Sequence, residues 1–204
     1  MSALEALCEA ERARLKRLEG ERAGDCAHPV FGAGKLGSAL MLIGEAPGRE
    51  EAECGRPFVG KAGRQLDALL ALAGIERSEA FVTNAVKFRP TRVKPGSVAN
   101  RTPTRSEILE ALPLLGAEIA LVAPQVIATL GNTPLASVAW LCGKKLPPVG
   151  GAHGKPAPVE IAGRNYVLFP LYHPASGIYD RGLVEVMERD ALSLGALLRE
   201  VNRI

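Results

Sequence analysis

Four short runs at 39–43, 81–84, 126–130 and 166–171 end in glycine or small polar residues, and helical periodicity fills most of the spans between them. That alternation restricts the chain to an α/β architecture with a mostly parallel sheet covered by helices on both faces. The first run is fully apolar, as a strand buried on both sides should be. After it, Leu66, Leu69, Leu70 and Ala73 recur on one helical face that Gly74 ends. Thr104 and Glu107 have the spacing of a capping box and open a helix towards Ala120. Pro134 starts another helix after Gly131-Asn132, residues 161–171 turn back on themselves at Gly163, and 183–201 form a closing amphipathic helix. An N-terminal helix over 1–22, carrying Leu4, Leu7, Leu15 and Leu18 amid dense charge, leads through a glycine-rich connector, 23–38, into a core over 39–204. The whole of 1–204 reads as one domain.

At 204 residues and 47% hydrophobic, such a chain can bury a full core. No apolar run is long enough to cross a bilayer, and no charged-then-apolar leader with a cleavage site is present, so the expectation is a soluble, cytoplasmic monomer. Cys8, Cys26, Cys54 and Cys142 are scattered singly, which suits reduced thiols better than a disulfide framework. The net charge is only +3, so affinity for nucleic acid has to come from local clustering.

Ligands of open α/β sheets sit beyond the carboxyl ends of the strands. Here those ends carry Gly44-Glu45, Thr83-Asn84, Gly131-Asn132 and Tyr172-His173-Pro174. A carboxylate-rich loop, an amide and an imidazole therefore converge on one crevice. The stretch "GEAPGREE" is neither a dinucleotide fingerprint nor a P-loop, and Glu45, Glu50, Glu51 and Glu53 repel phosphate. His28, His153 and His173 have no partner at metal-ligand spacing, so neither a metal nor a cofactor is expected. A flat, uncharged ring fits the crevice best. Phe58 offers a stacking face and Asn84 an acceptor with two donors.

The stretches "GEAPGREEAECGRPFVGKAG", "TNAVKFRP" and "YHPAS" resemble the three motifs of uracil-DNA glycosylases, most closely those of family 4, over roughly residues 30 to 200. The resemblance implies a three-layer α/β/α sandwich around a four-stranded, mostly parallel sheet. It implies hydrolysis of the N-glycosidic bond of deoxyuridine in single- or double-stranded DNA. Phe58 then stacks on the flipped base, Asn84 reads its N3 and O4 edge, and His173 donates to O2. Glu51 holds or polarises the attacking water, with Gly44, Glu45 and Ala46 forming the pocket wall; Glu45 joins Glu51 and His173 in the catalytic set. The chemistry agrees, since base departure leaves an oxocarbenium-like sugar and a base anion that need opposite partners. Two other readings are a catalytically weak damaged-base or nucleic-acid binding protein and a glycosylase for hypoxanthine or xanthine. An enzyme acting on free nucleosides is a third.

Lys87, Arg89, Arg92, Lys94, Arg101 and Arg105 form an acid-free basic stretch, read as a loop that meets DNA phosphates. After His173, Ile178, Tyr179 and Arg181 are candidates to fill the vacated stack or touch DNA. The chain also departs from the family. The [4Fe–4S] cysteines of family 4 include an N-terminal C-x-x-C and one directly after "VK"; here no C-x-x-C exists and Phe88 takes the later place. Residues 87 to 105 hold no histidine, unlike relatives that trap uracil covalently. Ala175 and Ala52 stand where Ser and Asp are usual.

Overall fold

The computed structural model describes residues 2–21 and 23–201; the side chain of Lys94 also lies outside the described part. The elements run α1 (Ala3–Arg17), β1 (Gly24–Asp25), β2 (Leu40–Gly44), α2 (Arg49–Cys54), α3 (Lys61–Ala73) and β3 (Ala80–Asn84). There follow β4 (Arg89–Lys94), β5 (Ser97–Asn100), α4 (Arg105–Val122), β6 (Val126–Leu130) and α5 (Asn132–Leu141). Then come α6 (Val149–Ala152), β7 (Ala157–Ile161), β8 (Arg164–Leu171), α7 (Ser176–Tyr179) and α8 (Val184–Val201).

The main sheet has the order β3-β2-β6-β8-β7. The first four strands are mutually parallel, as expected, and β7 adds a fifth, antiparallel edge through the turn at Gly163. Every residue of β2, β3 and β6 is buried, which explains their near-continuous apolar character. Alternation along the strands divides the core in two. Met41, Ile43, Phe81 and Ile127 face Leu115 and Ile119 of α4 and Leu135 and Val138 of α5. Leu40, Leu42, Val82 and Ala128 face Leu66 and Leu70 of α3 and Leu194 and Leu198 of α8. Helices α3 and α8 pack so closely that a side chain at Gly195 would run into the Ala73 carbonyl. The register sets Gly44 beside Asn84 and Leu130 beside Leu171, so the strand ends are level and their loops meet on one rim.

The structure differs from the sequence reading at two places. The N-terminal helix ends at Arg17, short of 22. The segment read as a loop after Lys87 is a hairpin, with β4 and β5 paired Thr91↔Asn100 and Val93↔Val98 and with β1 added at Pro90 and Arg89. Pro95-Gly96 are its two turn residues, and Gly96 has the positive φ of 72° that the turn requires. Pro95 and Gly96, which suggested a loop, form the turn, and Pro90 lies in the central strand of the ribbon opposite Gly24 of β1.

Candidate active site

The loop after β2 is organised by one carboxylate. Glu51 Oε2 accepts the Gly48 N–H (3.1 Å) at the start of α2. Its Oε1 accepts the N–H groups of Val59 (3.0 Å) and Gly60 (2.8 Å). Arg77 Nη2 adds a bond to the Pro57 carbonyl (2.8 Å). Between these anchors Phe58 adopts φ 55°, a left-handed conformation that costs a bulky residue about 1–3 kcal/mol and persists only when its surroundings impose it. The reward is position: the Phe58 ring lies over Gly44, where any Cβ would collide with the ring and with the Asn84 amide oxygen.

Asn84 ends β3, buried, with its side-chain amide lining the cleft. Its backbone is fixed from below. Lys87 Nζ donates to the Asn84 carbonyl (2.5 Å), to Thr83 Oγ1 (2.7 Å) and to Glu118 Oε2 (2.6 Å), and both charged side chains are 0% exposed. Lys87 was expected to meet DNA phosphate; enclosed in this network, it reaches no ligand. Its position two residues before the exposed hairpin made it look like the first cation of a surface stretch.

His173 follows β8, its ring centroid 6.5 Å from that of Phe58. The Ala175 N–H donates to Nδ1 (3.2 Å), which puts the proton of the neutral ring on Nε2. Burial pushes the His173 pKa below the ordinary histidine value, against the opposing pull of the Glu45 carboxylate. Glu45 accepts a hydrogen bond from Thr133 Oγ1 (2.5 Å) through Oε2; its other oxygen makes no hydrogen bond among the described residues. Glu45, Glu51, Phe58, Asn84 and His173 thus line one cleft of about 560 Å³.

Of the remaining cations, Arg89 and Arg101 line the cleft, with Arg89 Nε bonded to Asn100 Oδ1 (2.7 Å). The Arg101 fork grips both Glu107 oxygens (2.7 Å each) and the Ala23 carbonyl (2.7 Å), so it braces the hairpin root. Arg92 is exposed on the hairpin, and the Lys94 side chain lies outside the described residues. Arg105 stacks over Trp140 at 5.8 Å. Arg181 is exposed, and neither it nor Arg105 is among the cleft-lining residues. Arg49, Lys61, Val98 and Asn100 line the cleft although the sequence reading named none of them. The two cations sit in the first turns of α2 and α3, where spacing along the chain carried no sign of convergence.

The cluster of family 4 does not fit this chain. Phe88 is buried with Leu15, Cys26, Val86, Ile108 and Ala111, and Leu112 packs against them. Cys54 is exposed, Cys8 and Cys142 are half-buried, and none of the four cysteines is in a disulfide. Among the described residues no three His, Cys, Asp or Glu side chains gather to hold a metal. His28 pairs with Asp25 (3.0 Å) and His153 with Asp190 (2.7 Å), each as a local brace.

Comparison with known proteins agrees with this geometry. The family model described as "Uracil DNA glycosylase superfamily" matches residues 31–191. The chain is 34% identical over 162 residues to the type-4 uracil-DNA glycosylase of Sulfurisphaera tokodaii, covering 79% of this chain and 70% of that protein. It is 37% identical over 161 residues to that of Pyrobaculum aerophilum, covering 79% of each. With the Thermotoga maritima protein of the same description, it is 38% identical over 146 residues, or 72% of this chain and 69% of that one.

Two outcomes follow from these contacts. Lys87→Ala leaves the buried Glu118 charge unpaired and should lower stability by roughly 3–5 kcal/mol in denaturant unfolding, whereas Lys87→Met with Glu118→Leu should recover most of the loss. A single variant as stable as the parent contradicts the burial of this pair. The purified protein should be colourless and free of iron by elemental analysis; a brown preparation with stoichiometric iron would mean that the apolar cluster around Phe88 is not what fills this part of the fold.

Proposed function

The chain belongs to the uracil-DNA glycosylase superfamily, and we propose that it hydrolyses the N-glycosidic bond of deoxyuridine in DNA, releasing uracil and leaving an abasic site for base excision repair. The observation that carries this reading is the convergence of the Phe58 ring, the Asn84 amide and the neutral His173 Nε2–H on one cleft.

The target base must leave the helix, because its glycosidic bond is out of reach inside the stack. In the cleft, Phe58 stacks on the flipped ring. Asn84 accepts from N3–H and donates to O4. As the C1′–N1 bond breaks, its electron pair passes to the base and charge gathers on O2, where the His173 Nε2–H donates. A neutral imidazole suits this task, since its Nε2–H donates to the anion and burial keeps the ring neutral down to a lower pH than an ordinary histidine. On the sugar side, the Glu45 and Glu51 carboxylates stabilise the oxocarbenium-like centre. Three backbone N–H groups already occupy Glu51, so we assign the attacking water to the open oxygen of Glu45. Glu51 contributes its charge and holds the Phe58 loop. Water adds its oxygen to C1′, one of its protons leaves through Glu45, and the base anion takes up a proton.

Purified protein on matched oligonucleotides bearing uracil, thymine or another deaminated base, followed by alkaline cleavage, tests the activity. Release of uracil, persisting in EDTA, is expected; intact strands at excess enzyme would sink the reading. His173→Ala should slow single-turnover release by roughly 2–4 kcal/mol of barrier, in the manner of lost oxyanion donors. Asn84→Ala should slow release and weaken the discrimination against bases that lack uracil's polar edge. The pH dependence has a definite sign. A lowered pKa keeps His173 neutral as pH falls through the ordinary histidine range near about 6.5, so the single-turnover rate should show no histidine break there. The break belongs below that range, and one at the ordinary value would show an exposed, unperturbed ring.

A further inference from the structure

We propose that the β4–β5 hairpin is a DNA-binding wing whose paired valines, Val93 and Val98, pack against the bases beside the extruded nucleotide. This rests on the reading of the cleft as a flipped-base pocket in DNA.

The register carries the inference. Val93 and Val98 are direct cross-strand partners, and alternation puts them on the same face of the ribbon as Arg89, Thr91 and Asn100. Arg89, Val98 and Asn100 of that face line the cleft. The valine pair therefore continues the cleft wall outward along the hairpin. Among the described residues nothing covers it: Val93 is 85% exposed and Val98 55%. Two adjacent β-branched residues held in water at the end of a short ribbon add nothing to the core, and burying them against a partner is favourable.

The occupant follows from position and charge. A base seated between Phe58 and His173 draws its own strand across the mouth of the cleft, because each neighbour lies one phosphodiester link away. The hairpin stands roughly 15–17 Å tall at about 3.3 Å per residue, several times the ~3.4 Å step between stacked bases, so it overlaps those neighbours. Arg89 and Arg92 add positive charge on the ribbon, and Arg49 and Lys61 add it at the cleft. A polyanion with apolar base faces matches this combination. The short helix α7 adds Tyr179, 88% exposed and also lining the cleft. The extruded base leaves a gap in the stack, and apolar side chains that enter such gaps offset the cost of unstacking. Valine suits the role because its single stiff rotor loses little freedom on contact. The hairpin and α7 thus both offer apolar surface to the strand at the cleft.

The test compares the parent with V93S/V98S, and with V93T/V98T as a shape-conserving pair that keeps strand propensity. Two substrates are used: a long uracil-containing single strand with 2-aminopurine beside the uracil, and a uracil-centred trinucleotide that ends before the hairpin tip. The parent should change the 2-aminopurine fluorescence on binding, and both variants should weaken that change. In kcat/KM the V93S/V98S loss should be about tenfold larger on the long strand than on the trinucleotide, which corresponds to partial burial of the two valines on the bases. Equal losses on the two substrates, or parent-like rates and fluorescence in both variants, overturn the wing. A parent that releases no uracil from either substrate fails the glycosylase reading instead, a result read before any variant is compared.

Discussion

The buried contact between Lys87 and Glu118 is the constraint on which the site rests. A lysine and a glutamate with no exposure are tolerable only if each donor and acceptor is met, and the Thr83 hydroxyl and Asn84 carbonyl complete the set. The ion pair joins the end of β3 to the middle of α4, across the layer boundary of the sandwich. Replacing it with hydrocarbon need cost little stability, as buried pairs often show. What hydrocarbon does not supply is direction. The lysine fixes the carbonyl of Asn84 from inside, so the amide on the same residue faces the cleft. The network extends to α1: burial pushes the Cys8 thiol pKa up, and the neighbouring Glu118 carboxylate pushes it further. Helix α1 packs against α4 here, so an element outside the cleft supports the helix that carries Glu118.

A second carboxylate does comparable work above the cleft. Glu51 caps α2 and grips the backbone on the far side of Phe58, so the strained Phe58 conformation and the start of α2 are one unit. In the proposed reaction a charge at this point acts twice, on the shape of the loop and on the field at the sugar. The Phe58 ring needs Gly44 below it and Gly63 beside its carbonyl, because a Cβ at either place would collide with it. The glycine clusters of the first motif are explained by this close packing rather than by phosphate binding.

These dependencies also account for what was legible in the sequence. The four parallel strands were readable because burial on both faces leaves a near-continuous apolar run. Phe58, Asn84 and His173 were placed by the strand ends and the motif resemblance together, and the structure gathers all three in one cleft. Lys87 was misread because charge along a chain does not reveal depth: its neighbours Val86 and Phe88 are buried too, and only Arg89 onward reaches the surface region of the hairpin. The hairpin itself was missed because Pro90, Pro95 and Gly96 usually mark a loop, and its exposed strands carry no continuous apolar run to signal their pairing. The hydrogen bonds of Glu51 were equally invisible, since its partners lie eight and nine residues away across an irregular turn.

The distribution of charge across the cleft gives the site its chemical sense. In the proposed reaction Glu45 and Glu51 serve the sugar, while Phe58, Asn84 and the neutral His173 take the base. The base anion is then met by the Nε2–H of His173, whose orientation the Ala175 N–H secures through Nδ1. A protonated imidazole here would have to be paid for by desolvation, and burial already pushes the group towards its neutral form in spite of Glu45. In the proposed reaction the same Glu45 charge also serves the sugar side, where positive charge develops. One carboxylate then opposes the burial that neutralises the histidine and stabilises the cationic sugar. The Thr133 hydroxyl, bonded to Oε2, holds that carboxylate in place.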